Sequence, residues 1–173
     1  MTVSTQFRSS QSDAVSREQF REAMSRVGSA VHIVTSGGGA GQAGLTVTAF
    51  SAVSDAPPIV LVCVNRTSRS NKIIRKNGIF CVNILSAGER NMADLFAGRN
   101  VAHPEADRFE GLQISKTASG APVLPGCLAS MDCELERIVE MGTHSVLFGR
   151  VQAIVPGQLG PGLIYRDRDY HAL

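Results

Sequence analysis

The chain has 173 residues, 43% of them apolar and 18% charged, with a formal net charge of +2 at pH 7. This length predicts one compact domain with its own hydrophobic core, and the small net charge argues against a nucleic-acid partner. Because no run approaches the ~18 apolar residues of a membrane span and the polar start lacks the apolar core of a secretory signal, we expect a cytoplasmic protein without membrane association.

The N-terminal residues 1–15 are rich in Ser, Gln and Thr, and we interpret them as a mobile polar tail before a single domain at 16–173. Ser16 and Gln19 have the spacing of a capping box, which predicts that a helix begins there. Apolar residues then recur at helical intervals, and Gly28 suits the end of that helix.

Runs typical of β-strands follow the first helix. Residues 30–35 and 45–54 predict two strands joined by a glycine-rich loop at 37–44. This loop contains a literal G-x-G-x-x-G, but the residues after it favour a strand. A dinucleotide fingerprint needs a helix there, so we favour a flexible hairpin loop. The apolar run 59–64 predicts a strand in the middle of a packed sheet.

Two short helices are predicted in the middle of the chain. Residues 68–76 predict the first, which ends before Gly78, and 79–85 predict the strand that follows. A second capping-box spacing, at Ser86 and Glu89, predicts the start of the other helix.

The C-terminal half has mostly β texture. Residues 100–111 predict a polar loop, and 127–135 alternate so that Asp132, Glu134 and Glu136 are predicted on an exposed face. The whole chain predicts six or more strands and three short helices without regular crossover helices. We therefore expect a mainly β barrel or sandwich with peripheral helices.

Hydroxyl and cationic side chains cluster at two places. Thr46, Thr48 and Ser51 lie in one predicted strand. The turn before the second predicted helix carries Asn65, Arg66, Thr67, Ser68, Arg69, Ser70 and Lys72. A helix N-terminus with hydroxyl and cationic side chains suits a phosphate group. The alternative is a capped helix with a solvated basic face.

Histidines and cysteines give weaker signals. We expect His32 and His103 to be core or surface residues, whereas His144, at the entry to a strand, is placed where a side chain can face a ligand. The four cysteines form no C-x-x-C pair, so we expect buried, reduced thiols and no metal site. No paired carboxylates or hydrolase motif stands out, which fits chemistry performed by a bound cofactor.

Several runs, in order, resemble the flavin reductase-like family, whose short-chain NAD(P)H:flavin reductases supply two-component monooxygenases. These runs are 44–54, 57–65, 68–71, 80–85, 96–98, 108–109, 142–144 and 163–170, so the resemblance covers about 17–173. It implies an FMN-binding split β-barrel that forms a homodimer and transfers a hydride from NADH or NADPH to FMN or FAD.

The resemblance also implies a set of site residues. The implied flavin site consists of Thr46, Val47, Thr48, Ala49, Ser51, Asn65, Arg66, Ser68, Ser70, Asn71, Lys72, Tyr165 and Arg166. Backbone N–H groups of 46–49 are expected at the edge of the isoalloxazine ring, Ser68 and Ser70 at the phosphate, and His144 on the nicotinamide side. No side chain needs to bond covalently to the substrate.

The acceptor of the electrons is left open at this point. Reduced flavin serving a partner monooxygenase is the first expectation. Related reductases act on a cobalt corrinoid in cobalamin synthesis, so a corrinoid reductase is the alternative, and a non-catalytic flavin-binding module is the second alternative. The dense charges of residues 165–170 leave the nucleotide and the second acceptor unassigned.

Overall fold

The structure, a computed structural model, describes residues 14–99 and 107–173. Nearly all of the predicted tail at 1–15, most of the predicted loop at 100–111, and His103 therefore lie outside the described residues. Within the described residues, no helix is long and apolar enough to cross a membrane.

The described chain is mainly β, as the sequence predicts. Its helices are α1 (Arg17–Ser25), α2 (Arg69–Asn77) and α3 (Arg90–Phe96). Its strands are β1 (Ser29–Ala30), β2 (His32–Gly38), β3 (Gly41–Val47), β4 (Phe50–Asp55), β5 (Pro58–Asn65), β6 (Ile79–Leu85), β7 (Ser115–Lys116), β8 (Pro122–Val123), β9 (Cys127–Met141), β10 (His144–Pro156), β11 (Leu163–Arg166) and β12 (Asp169–Ala172).

Seven strands form the main sheet, in the order β3-β2-β6-β9-β10-β5-β4, and every neighbouring pair is antiparallel. A second sheet has the order β1-β11-β12, and β7 pairs with β8. The long hairpin of β9 and β10 forms the centre of the main sheet.

The two edge strands of the main sheet, β3 and β4, are consecutive in the chain. Only Thr48 and Ala49 separate the end of β3 at Val47 from the start of β4 at Phe50. Three Cα–Cα steps span at most about 11 Å, whereas seven flat strands at their usual spacing would hold the edges ~29 Å apart. The sheet therefore curls until its edges meet at this corner.

The corner at Thr48 and Ala49 corrects one prediction. Residues 45–54 are not a single strand, because the chain leaves one edge of the sheet and starts the other edge there. Thr46, Thr48 and Ser51 consequently lie in β3, at the corner and in β4 respectively. A local strand pattern does not reveal that the two edges of the sheet meet at this corner.

Two hydrophobic clusters form most of the core. The cluster inside the curled sheet includes Val34, Val47, Val62, Phe80 and Leu147, each at most 7% exposed. A second cluster lies beneath α3 and the C-terminal sheet, and includes Val31, Phe96, Phe109, Leu163 and Tyr170. The side of the main sheet next to β3 therefore packs against α3.

The capping predictions hold for α1 and α2 but not for α3. Ser16 and Gln19 form the predicted capping box of α1, although this helix ends at Ser25 rather than at Gly28. Ser68 caps α2, and Gly78 follows it with a φ of +69°. The Ser86 side chain makes no capping bond, because a 3₁₀ turn precedes α3.

Three strand predictions need correction. The hairpin of β2 and β3 is tight, since only Gly39 and Ala40 lie between the strands. Strand β5 lies next to an edge of the sheet rather than in its middle. Asp132 is 1% exposed, because it accepts hydrogen bonds from the backbone N–H and the hydroxyl of Ser119, whose loop covers this part of β9.

Candidate active site

A cleft of about 650 Å³ lies where the edge of β3 meets the start of α2 and the end of α3. We call it the first cleft. Its lining includes Gly44 and Thr46 from β3, Ser68 and Ser70 from the start of α2, and Arg108. The curled sheet thus brings together two segments that the sequence analysis selected separately, the hydroxyls of β3 and those of the 65–72 turn.

The N-terminus of α2 opens into the first cleft. The Ser68 hydroxyl accepts a hydrogen bond from the backbone N–H of Asn71 (3.1 Å) and donates one to the carbonyl of Asn65 (2.9 Å). First-turn N–H groups of a helix lack intrahelical partners, and the helix dipole favours a negative charge there. This end of α2 is therefore suited to a phosphate.

Two arginines flank this helix end. Arg69 donates to the carbonyl of Gln42 (3.3 Å), and Arg108 donates to the carbonyls of Gly44 (3.2 Å) and Phe96 (2.8 Å). Neither arginine is paired with a carboxylate among the described ion pairs. The cleft thus holds positive charge that an anion can neutralise. The predicted site set omitted both arginines, although Arg69 lies in the basic turn and Arg108 in a run that carries the resemblance.

The open edge of β3 faces the same cleft. The carbonyls of Gln42 and Gly44 accept side-chain bonds from outside the sheet, the latter also from Ser70 (3.4 Å). Since backbone groups of a strand alternate between its two neighbours, Thr46 directs its N–H and C=O to this edge as well. Its hydroxyl already donates a hydrogen bond to the carbonyl of Ala93 (2.6 Å). Thr46 therefore presents its backbone groups, rather than its side chain, to a ligand.

Gly44 allows α3 to approach β3 closely. A Cβ added at Gly44 would lie 2.4 Å from a ring carbon of Phe96 and 3.2 Å from the ring of Phe109. These two rings pack edge to face, with centroids 5.2 Å apart. Only glycine at this position leaves room for the aromatic wall of the first cleft.

A second cleft, of about 790 Å³, lies on the other side of the end of β3. Thr48 and Tyr165 line it together with Arg168 and the face of α1 that carries Phe20 and Met24. The structure therefore divides the predicted flavin residues between two clefts. Thr46, Ser68 and Ser70 line the first cleft, whereas Thr48 and Tyr165 line the second.

Tyr165 is held by one arginine and by a second aromatic ring. Its hydroxyl accepts a hydrogen bond from Arg99 (3.2 Å), whose guanidinium also lies 5.6 Å from the ring centroid. The ring packs edge to face on Tyr170 at 5.2 Å. The next residue, Arg166, is exposed and pairs with Asp167 (3.4 Å), and it lines neither cleft.

His144 and Asn65 lie opposite each other on neighbouring strands, β10 and β5. His144 is exposed, and its Nδ1 is 2.9 Å from the hydroxyl of Thr143. The side-chain oxygen of Asn65 accepts bonds from the backbone and hydroxyl of Thr67. Arg66 bonds through its backbone N–H to the carbonyl of Thr143 (3.1 Å), so the two turns are joined.

Several predicted site residues lie away from both clefts. Asn71 is 2% exposed and donates its amide to the carbonyl of Val64 (3.3 Å) and the hydroxyl of Ser145 (3.0 Å), so its side chain belongs to the core. Lys72 is exposed on the outer side of α2, and the side chain of Val47 is in the core. Ser51 and Ala49 are exposed near the corner.

The cysteines are suited to packing rather than to chemistry. Cys81, Cys127 and Cys133 are buried, while Cys63 is half-buried, and none forms a disulfide. Burial raises the pKa of Cys127 and of Cys133 to about 12, which suppresses the reactive thiolate at neutral pH. The prediction of buried, reduced thiols is confirmed for Cys81, Cys127 and Cys133.

Comparison with known proteins gives one consistent result. The model of the flavin reductase like domain matches residues 24–173. The FMN reductase (NADH) RutF of Ancylobacter novellus is 45% identical over 160 residues, which cover 92% of this chain and 87% of the relative.

Solved structures agree with the sequence relatives. The NADH:FAD oxidoreductase SgcE6 of Streptomyces globisporus superposes with a TM-score of 0.85 at 27% identity, covering 96% of this chain and 98% of that one. BorF, the flavin reductase component of a bacterial two-component tryptophan halogenase, gives 0.82 at 28% identity, covering 91% and 98%. These two solved structures share the fold of the chain described above.

Proposed function

Because the chain belongs to the flavin reductase-like family, we propose that it is an NADH-dependent FMN reductase, and that the first cleft binds the flavin phosphate. The observation that carries this proposal is the meeting of the α2 N-terminus, Arg69, Arg108 and the open edge of β3 in one cleft. A relative at 45% identity bears the name FMN reductase (NADH). This supports FMN over FAD and NADH over NADPH.

The chain's own residues fit a flavin in two respects. The first-turn N–H groups of α2 and the two arginines supply donors and positive charge for a phosphate, and the hydroxyls of Ser68 and Ser70 lie beside them. The backbone N–H groups of Thr46, Thr48 and Ala49, which lie outside the pairing of β2 with β3, supply donors at the corner for the polar edge of the ring. Bound flavin provides the hydride-accepting ring, and NADH provides the hydride with its two electrons.

His144 and Asn65 are proposed to face the nicotinamide of NADH. They lie opposite each other at the end of the main sheet, where Asn65 ends β5 before the turn to α2 and His144 begins β10. A rigid sheet end holds both side chains at a fixed spacing, which orients a flat substrate ring against the flavin. Neither residue needs to exchange a proton in hydride transfer.

The protein is proposed to act as a homodimer. Outward-facing apolar side chains follow the centre of the sheet in two adjacent rows, Cys63–Val146–Val139 and Leu61–Phe148. All five are only half-buried, and within the described chain none packs into a buried cluster. Such an apolar sheet face is typical of a subunit interface.

Reduced flavin is proposed to serve an oxygenase-type partner in the cytoplasm. BorF is named as the reductase component of a two-component halogenase, which supports this class of acceptor. Nothing in the clefts favours the corrinoid acceptor or a purely flavin-storing role. Both remain outcomes of the experiment below.

The test is anaerobic mixing of the purified protein with NADH and with free FMN, followed by the visible absorbance of the flavin. We expect loss of the oxidised-flavin absorbance only when protein, NADH and FMN are all present, with many turnovers per protein. Binding of FMN without reduction by NADH would favour the storage module. Anaerobic NADH consumption that becomes faster when a cobalt corrinoid is added would favour the alternative acceptor.

A further inference from the structure

Glu140, near the end of β9, is the centre of an ion-pair cluster outside the site described so far. Its carboxylate contacts Arg66 Nε at 3.1 Å, the guanidinium of Arg75, and the hydroxyl of Ser145 at 2.8 Å. Arg66 precedes α2 and Arg75 lies in its last turn, so one carboxylate links β9 to both the turn before α2 and the helix itself.

A buried chain of hydrogen bonds extends this link into the core. Ser145 is fully buried, and its hydroxyl accepts a bond from Asn71 (3.0 Å), which is 2% exposed in the first turn of α2. Ser145 follows His144 directly. Glu140 and Asn71 therefore both bond the side chain of Ser145, and these two bonds fix the backbone next to His144.

Arg66 forms the other half of the link. Besides its ion pair with Glu140, it donates to the carbonyl of Gly142 through Nη1 (3.3 Å) and to the carbonyl of Thr143 through its backbone N–H (3.1 Å). Both acceptors lie in the two-residue turn between β9 and β10, immediately before His144. Glu140 holds the guanidinium in the orientation that reaches this turn.

We propose that Glu140 is a positioning residue for NADH, which fixes His144 and Asn65 relative to the start of α2 through Arg66 and Ser145. This inference rests on the proposed function, since it gives His144 its place beside the nicotinamide. Glu140 itself does not touch the substrate. Its side chain is 36% exposed, and ion pairs at that exposure contribute little to stability. Removing the Glu140 charge is therefore expected to weaken the use of NADH rather than the stability of the fold.

Steady-state kinetics of Glu140→Gln test the proposal. The amide keeps the size of the side chain but removes the charge that orients Arg66. We expect the KM for NADH to rise about fivefold or more, while the Kd for FMN changes less than about twofold. Glu136→Gln is the matched control, because Glu136 lies on the same strand and pairs with Arg150 (2.7 Å), away from α2.

The same substitution in a His144→Ala background shows whether Glu140 acts through His144. A positioning residue loses its effect when the residue that it positions is gone, so Glu140→Gln should then leave the KM for NADH nearly unchanged. The same fold-change in both backgrounds would overturn the proposal. So would a parallel loss of FMN binding. Glu140→Asp, which keeps the charge, should recover part of the wild-type KM.

Hydrogen exchange gives a measurement that does not depend on activity. Glu140→Gln should speed amide exchange at residues 142–145, whereas Glu136→Gln should not. Unchanged exchange there would overturn the proposal even in an inactive protein. If wild-type protein fails to reduce FMN while exchange changes as expected, the proposed function is wrong and the positioning of the 142–144 turn by Glu140 stands.

Discussion

His32 lies inside the curled sheet, where it stacks on Phe50 at a centroid distance of 4.4 Å. It is 4% exposed, and its Nδ1 has no hydrogen-bond partner among the described residues. Burial lowers the pKa of His32 to about 4, while a backbone bond at Ala30 opposes that shift. A neutral imidazole in the core makes stability sensitive to mild acid.

The sign of this sensitivity follows from proton linkage. Between the folded pKa of about 4 and the unfolded value near 6.5, the unfolded chain binds more protons, so acidification favours unfolding. From pH 7.5 to 5 we expect His32 to account for a loss of about 2 kcal/mol in the free energy of unfolding, measured by urea denaturation.

His32→Phe should flatten this part of the pH profile, since a phenyl ring retains the stacking on Phe50 without titrating. His171→Gln is the control, because His171 is exposed. A His32→Phe protein that loses stability between pH 7.5 and 5 as steeply as the wild type would contradict the assignment.

Ser68 and Ser70 make a second prediction at the level of single residues. The double variant Ser68→Ala/Ser70→Ala removes the cap of α2, at about 1 kcal/mol of stability, and the two hydroxyls that line the first cleft. Each hydroxyl that turns from its present carbonyl partner to the proposed phosphate would contribute roughly 0.5–1.5 kcal/mol, and more to a charged group. We therefore expect FMN to bind about tenfold more weakly, measured by quenching of its fluorescence.

Ser16→Ala is the matched control for this experiment. Ser16 caps α1 through the same kind of bond, from the backbone N–H of Gln19 (3.1 Å), and lines neither cleft. It should lower stability to a similar degree and leave FMN affinity unchanged. If the Ser68→Ala/Ser70→Ala protein binds FMN like the wild type, the phosphate lies elsewhere.

Helix α2 shows how one element carries both structural and ligand-facing residues. Ser68 and Ser70 line the first cleft, Asn71 points into the core, and Lys72 points to solvent. Four residues of one helical turn thus divide among three environments. The sequence located the helix and its cap, but the side of the turn that faces the cleft depends on where β3 and β10 lie.

Asn71→Ala is therefore expected to affect stability. The substitution leaves the carbonyl of Val64 and the hydroxyl of Ser145 without their partner in a buried place, which costs about 1–3 kcal/mol. Urea denaturation measures this loss. Lys72→Ala, one residue along the helix and exposed, should stay within about 0.5 kcal/mol of the wild type. Equal stability of the two variants would contradict the structural role of Asn71.

The molecule as a whole presents an apolar sheet face that a single protomer leaves half-exposed. The low fraction of charged residues, 18%, also favours coverage by a second subunit. Leu61 and Phe148 form adjacent partners at the centre of this face, on β5 and β10. Their side chains point away from the core, because neighbouring Val62 and Leu147 point into it.

Phe148→Glu is expected to dissociate the proposed homodimer, because it places a charge in the middle of the apolar rows. Light scattering coupled to size-exclusion chromatography measures the mass. Lys116→Glu, on the exposed strand β7 away from these rows, should leave the mass unchanged. A wild-type protein that elutes as a monomer, or a Phe148→Glu protein that keeps the wild-type dimer mass, would contradict this interface.

The sequence by itself determined the features that depend on near neighbours in the chain. The capping box at Ser16, the helix between Ser68 and Gly78, the β2–β3 hairpin and the mainly β class all follow from patterns a few residues long. The ordered runs that carry the family resemblance are likewise written in the chain, and the match over residues 24–173 bears them out.

Only the tertiary structure decided which distant residues meet. The curling of the sheet splits 45–54 at Thr48, and strand pairing places His144 opposite Asn65. Tertiary packing brings Arg108 to the start of α2 and covers Asp132 with the loop of Ser119. Strand pairing and burial depend on segments tens of residues apart. A local pattern of hydrophobic and polar residues does not identify the distant segment with which a strand pairs or that covers it.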